Sequence, residues 1–134
     1  MAWWFMERSP SSVRNWLRKA ARDVRAAESL IDDEDMAEVV AFHAQQAVEK
    51  AMKGVAAFLG VQEIPRTHNL EELAHLVARA GGHLPASEDE LEAFEPFAVS
   101  VRYDEEPVPD EAAIRAALAL ARRFLGWAKE MTGE

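Results

Sequence analysis

The 134-residue chain contains no cysteine. Disulfides and thiolate metal ligands are therefore excluded, and nothing suggests a crosslinked, secreted fold. No segment alternates apolar and polar residues with β-branched enrichment, so no sheet is expected. Repeats, low-complexity tracts and an interdomain linker are lacking too. The length fits a single domain over residues 1–134, large enough to close one core without staples. No Gly-rich phosphate loop is present, which excludes P-loop and Rossmann modes of nucleotide binding. The apolar start of MAWWFMERSP is interrupted by Glu7 and Arg8. That run is too short for the apolar region of a signal peptide and far too short to span a bilayer. A soluble cytoplasmic protein with no membrane association is expected. Positive charge is in deficit: 15 Lys and Arg against 24 Asp and Glu leave a net charge of −9. Most of such a surface repels polyanions, so broad binding to duplex DNA is not expected, although a local basic cleft is compatible with the balance.

What is present is helical pattern. Hydrophobic residues make up 49% and charged residues 29% of the chain, an ordinary globular composition. Val13, Trp16, Leu17, Ala20, Val24, Ala27 and Leu30 recur at steps of three and four, a single apolar stripe. Ser9 before Pro10 suits an N-cap followed by proline in the first turn. Arg14, Arg18, Arg22 and Arg25 form a ladder on the same segment, which reads as a solvated face. The acidic run Asp32 to Asp35 closes this helix and opens a second, from about Asp35 to Leu59, with Gly60 as its stop. Asn69 with Glu72, and Ser87 with Glu90, carry capping-box spacing for a third and a fourth helix. The third ends at Gly81-Gly82, and Pro96 predicts a kink or break in the fourth. A last helix starts near Asp110, with Ile114, Ala117, Leu118, Ala121, Phe124, Leu125 and Ala128 on one side. The expected fold is all-α: an antiparallel up-and-down four-helix bundle with one additional short helix.

The stretch FHAQQAVEKAMKG, residues 42–54, carries an additional pattern. At 100° per residue the second helix divides into three sectors. Ala37, Val40, Ala44, Val48, Ala51, Val55 and Leu59 face the core; Glu38, Gln45, Glu49 and Lys53 are expected on the wet side. Between them lie His43, Gln46, Lys50 and Gly54, with Val39, Ala47 and Ala57. Polar groups there either flank the core and reach solvent or line an interface or cleft, where they need partners. His68, Glu72 and His75 have spacing that a zinc site could use, but a loop histidine and a surface histidine explain them better. No metal and no cofactor is expected. Trp3 and Trp4 fit either a docking arm or plugs at a bundle end, whereas Trp16 and Trp127 sit in apolar stripes and read as core.

The strings AFHAQQAVEKAMKGVAAFLG, PRTHNLEELAHLV and VRY, in this order and at these distances, resemble the HEPN domain family of small prokaryotic proteins. WLRKAARDVRAAESLI and the amphipathic closing helix extend the resemblance over nearly the whole chain. It implies a four-helix bundle with an added short helix and a homodimer. It also implies pairing with a minimal nucleotidyltransferase, in a toxin–antitoxin or nucleotide-handling module. Some family members are metal-independent ribonucleases with an Arg-x4–6-His motif assembled across the dimer. That motif is missing here, because none of His43, His68, His75 and His83 has an arginine at the required distance upstream, and Arg79 to His83 is one step short. By position, the family's polar cluster falls on His43, Gln46, Lys50, Arg66, His68, Arg102 and Tyr103. Lysine and arginine there would hold phosphate, the latter bidentately, and a histidine could move a proton for cleavage by a 2′-hydroxyl. The expected function is binding of a nucleotide, of short RNA or of the nucleotidyltransferase, without assigned catalytic residues. A ribonuclease and a purely structural interaction module are the alternatives. The expected dimer interface is Val39, His43, Ala47, Lys50 and Gly54, whose small members permit close approach of a second copy.

Overall fold

The computed structural model describes residues 10–92, 94 and 110–134, and among these it is all helical. The helices are α1 (Pro10–Leu30), α2 (Ala37–Phe58), α3 (Leu70–Arg79), α4 (Glu88–Glu92) and α5 (Glu111–Thr132), with a 3-10 turn at Glu34–Met36 before α2. Local chemistry sets the boundaries. Asn69 Oδ1 accepts from the Glu72 amide at 2.9 Å and so satisfies an otherwise orphaned N–H at the start of α3. Asp110 does the same for Ala113 at 2.7 Å. Ser87 and Glu90 form a reciprocal capping box: each side chain accepts from the other's amide at 3.2 Å. Gly60 follows the C-terminus of α2 with φ of 94°, a conformation that costs glycine nothing.

Ion pairs fix the chain directions. Arg14 reaches Glu134, Arg122 reaches Glu28 and Arg115 reaches Asp32, so α5 runs antiparallel to α1. Asp23 meets His43 and Lys50, and Leu17 lies against Gly54, so α2 also opposes α1. Arg123 bonds Glu90, while Phe94 lines a groove with Ala113 and Ala117, so α4 climbs back along α5. Among the described residues α1, α2, α3 and α5 are the four longer helices, and the five-residue α4 is the short additional one. α3 packs along the second half of α2: His68, just before it, touches Glu49, and Gly82, just after it, lies against Leu59.

One core joins all five helices, with Leu17, Val24, Val48, Met52, Val55, Leu73, Val77, Leu91, Leu118 and Phe124 among its members. The second half of α2 is surrounded: every residue from Ala51 to Ala57 is buried. That explains a departure from the sectors expected of α2. Glu49 and Lys53, placed on the wet side by angle alone, are 3% and 5% exposed because the segment before α3 covers that face. Trp16 and Trp127, expected in the core, are only partly buried and pack at its edge. No helix of the described residues is long and apolar enough to cross a membrane.

Candidate anion-binding groove between α1 and α2

Asp23 lies within the apolar stripe of α1, three residues after Ala20 and four before Ala27, and is 8% exposed. A carboxylate in that position needs partners, and α2 supplies two. Lys50 Nζ donates to Asp23 Oδ2 at 2.6 Å, and His43 Nδ1 lies 2.8 Å from Asp23 Oδ1. Because a carboxylate only accepts, His43 carries its proton on Nδ1 in this contact and leaves Nε2 for other use. The half-polar line of α2 is explained in part by this arrangement: His43 and Lys50 stand seven residues apart on one side of α2, and Asp23 bridges them.

The three residues line a groove of about 430 Å³ together with Trp16, Lys19, Arg22 and Ala26. Lys19 and Arg22 are exposed. With Lys50 they supply three positive charges against the single negative charge of Asp23, which His43 and Lys50 already occupy. The groove is therefore a local cationic patch in a chain of net charge −9.

A second polar cluster lies around the next face of α2. Buried Glu49 accepts from Lys53 Nζ at 3.2 Å, and its other oxygen lies 2.8 Å from His68 Nδ1. Lys53 Nζ also sits 5.4 Å from the centroid of the Trp16 ring, and Lys19 Nζ sits 5.5 Å from it. Trp16 lines the groove, so Glu49 and Lys53 form a continuous chain of contacts from His68 to the groove wall.

The residues singled out by sequence thus separate. His43 and Lys50 are in the groove, and Gln46 is half-buried between their turns. His68 belongs to the Glu49 cluster, and Arg66 is exposed on the segment before it. Arg102 and Tyr103 lie outside the described residues. Of the expected interface set, Val39 is half-buried, while Ala47 and Gly54 are buried inside the chain. A Cβ on Gly54 would stand 3.0 Å from Leu17 Cδ2 and 3.2 Å from Trp16 Cβ, so its missing side chain admits α1. The suggested zinc trio does not converge: His68 turns to Glu49, His75 to Glu88, and Glu72 accepts from Thr67. Sequence reasoning missed Asp23, Lys19 and the exposure of Trp16, and took Arg22 as part of a solvated ladder. A signal for Asp23 did exist: a lone acid in the apolar stripe of one helix opposite a histidine and a lysine on the flank of the next.

An all-helical bundle with a polar cluster between its first two helices places the chain among the small helical-bundle domains. The HEPN domain family matches residues 13–131, and the chain belongs to that family. The crystal structure of TT1696 from Thermus thermophilus is similar, with a TM-score of 0.66 and 26% sequence identity, covering 89% of this chain and 97% of that one. No curated protein matches significantly.

Proposed function

We propose that this chain is a nucleotide-handling HEPN protein whose α1–α2 groove takes a phosphate ester, a nucleotide or the end of a short RNA. The observation that carries the reading is Asp23, which holds His43 and Lys50 side by side in a groove that Lys19 and Arg22 complete. An ammonium and a guanidinium clustered around one cleft suit a phosphoryl group, the guanidinium by bidentate hydrogen bonds. Arg66, Arg102 and Tyr103 join this reading through family resemblance. Calorimetry with ADP and the intact protein tests it. The Lys50→Ala and Arg22→Ala variants should each weaken binding several-fold with helical content retained. Affinity unchanged from the parent in both variants, or no binding by the parent, sinks the groove as a site and leaves a purely structural interaction module.

Assembly is part of the same proposal. A homodimer would use the edge of α2 at Val39, His43 and Lys50, and Phe42 beside them is 44% exposed, a large apolar side chain suited to a self-complementary contact. The proposed second partner is a minimal nucleotidyltransferase, testable by co-purification with the product of a neighbouring gene. A second reading, metal-independent ribonuclease activity, is favoured by one observation. Asp23 fixes His43 through Nδ1, an arrangement that presents Nε2 as a proton acceptor. Cleavage of a single-stranded RNA that stops in His43→Ala would support it; no cleavage by the parent protein would exclude it.

A further inference from the structure

We infer that Trp16 makes the α1–α2 groove selective for a single purine nucleotide over a bare phosphate, with the indole as the platform for the base. The inference rests on the phosphate-ester reading of the groove given above. Trp16 is partly buried and lines that groove with Lys19, Arg22, Asp23, Ala26, His43 and Lys50. Its inner contact is fixed. Lys53, 5% exposed, sits 5.4 Å from the ring centroid and is itself held by Glu49 at 3.2 Å. The Trp16 Cβ also packs against the side-chain-free face of Gly54.

The outer contact is loose. Lys19 is exposed and reaches the ring with its ammonium 5.5 Å from the centroid. An exposed cation over a ring contributes less than an aromatic base stacked on it. A base therefore displaces Lys19, and the freed ammonium turns to the phosphate beside Arg22 and Lys50. A purine covers more of the indole than a pyrimidine does. At about 430 Å³ the groove has the dimensions of a small-molecule cleft. The surrounding charge of −9 opposes longer polyanions, which favours one nucleotide over a strand.

The test is calorimetric titration of the intact protein with AMP, CMP, inorganic phosphate and an adenine oligonucleotide. The expected result is AMP binding about tenfold tighter than phosphate, the scale of one stacked base, with CMP in between. In Trp16→Leu the ratio of AMP to phosphate affinity should fall towards one, and Trp16→Phe should keep most of it. Equal binding of AMP and phosphate by the parent, or a ratio that survives Trp16→Leu, overturns the inference while the phosphate-ester reading stands. No binding of either ligand overturns both. An oligonucleotide that binds far more tightly than AMP overturns the preference for a single nucleotide. Should Trp16→Leu fail to fold, the triple variant Trp3→Phe, Trp4→Phe and Trp127→Phe isolates the Trp16 fluorescence. AMP must then quench it more than phosphate does, and equal quenching overturns the inference.

Discussion

Burying a charge is costly unless a partner is buried with it, and among the described residues this happens at two places. The Glu49–Lys53 pair is the more enclosed, with side chains 4% and 6% exposed. Removing one member strands the other, whereas replacing both by apolar groups of similar volume leaves no orphan. Lys53→Met should therefore destabilise the protein by about 3 kcal/mol. The double variant Glu49→Leu/Lys53→Met should recover most of that loss, although His68 then loses its acceptor. Urea unfolding of the single and double variants at neutral pH checks this, and a double variant as unstable as the single one would show that the pair is not the unit of stability. Asp23 is the looser case, because His43 and Lys50 are 28% and 22% exposed and can reach water without it. That difference suits a binding site. The side chains around Asp23 stay accessible, while those around Glu49 serve to fix Trp16 and the segment before α3.

α1 and α2 approach each other closely at Gly54, where a Cβ would crowd Leu17 and Trp16 at 3.0 and 3.2 Å. Gly54→Ala gains helix propensity but forces those neighbours apart, and overpacking a core usually costs about 1–3 kcal/mol against a gain of at most about 1 kcal/mol. The expected net loss is about 1 kcal/mol, read as a shift of the urea midpoint; a stabilised variant would show that α1 yields freely. The pairing of α4 with α5 carries a pH dependence. Arg123 hydrogen-bonded to Glu90, helped by the Ser87 amide, holds that carboxyl below its ordinary value of 4.5. A depressed folded-state value adds stability above the unfolded value and loses it as pH falls through the folded one. Acid titration should thus loosen α4 before the rest, and Arg123→Ala should remove that step as followed by amide exchange in residues 88–92. Much of this element order was legible in the sequence. The Asn69 cap, the Ser87–Glu90 box and the Asp110 start are local devices written in a few adjacent residues. Angular position alone could not show that the chain after Gly60 folds back over Glu49 and Lys53. Nor could it show that α1 claims Gly54, because both depend on which neighbour covers a face. The groove was half legible: His43 and Lys50 stood out in α2, but their partner in α1 and the aromatic wall became visible only once the two helices were packed.

At the scale of the whole molecule, charge is segregated. The chain carries 24 acidic residues against 15 basic ones, yet Arg14, Arg18, Lys19, Arg22 and Arg25 fall within a single stretch of α1. Arg14 and Arg18 line a further groove with Lys129 on the side of α1 that faces α5, so α1 is a basic ridge with a cleft on each flank. An anion approaching from solution meets repulsion over most of the surface and attraction near this ridge. Screening extends about 8 Å at physiological ionic strength, so the distant acidic charges are largely hidden there, while contacts inside the groove are screened less. Two opposed effects follow when salt is lowered: the local attraction strengthens, and the long-range repulsion emerges. If the proposed groove binds phosphate, the local term should win, because Lys19, Arg22 and Lys50 line it and the acidic clusters at 32–35 and 88–92 sit on other elements. Affinity for inorganic phosphate should therefore fall several-fold between about 0.05 and 0.5 M potassium chloride, with adenosine, which carries no charge, nearly insensitive. Calorimetry at the two salt concentrations checks the pair of ligands side by side. Phosphate binding that strengthens with salt would mean that the net charge of the chain governs the approach, and that the cations of α1 are too well screened to act as a site.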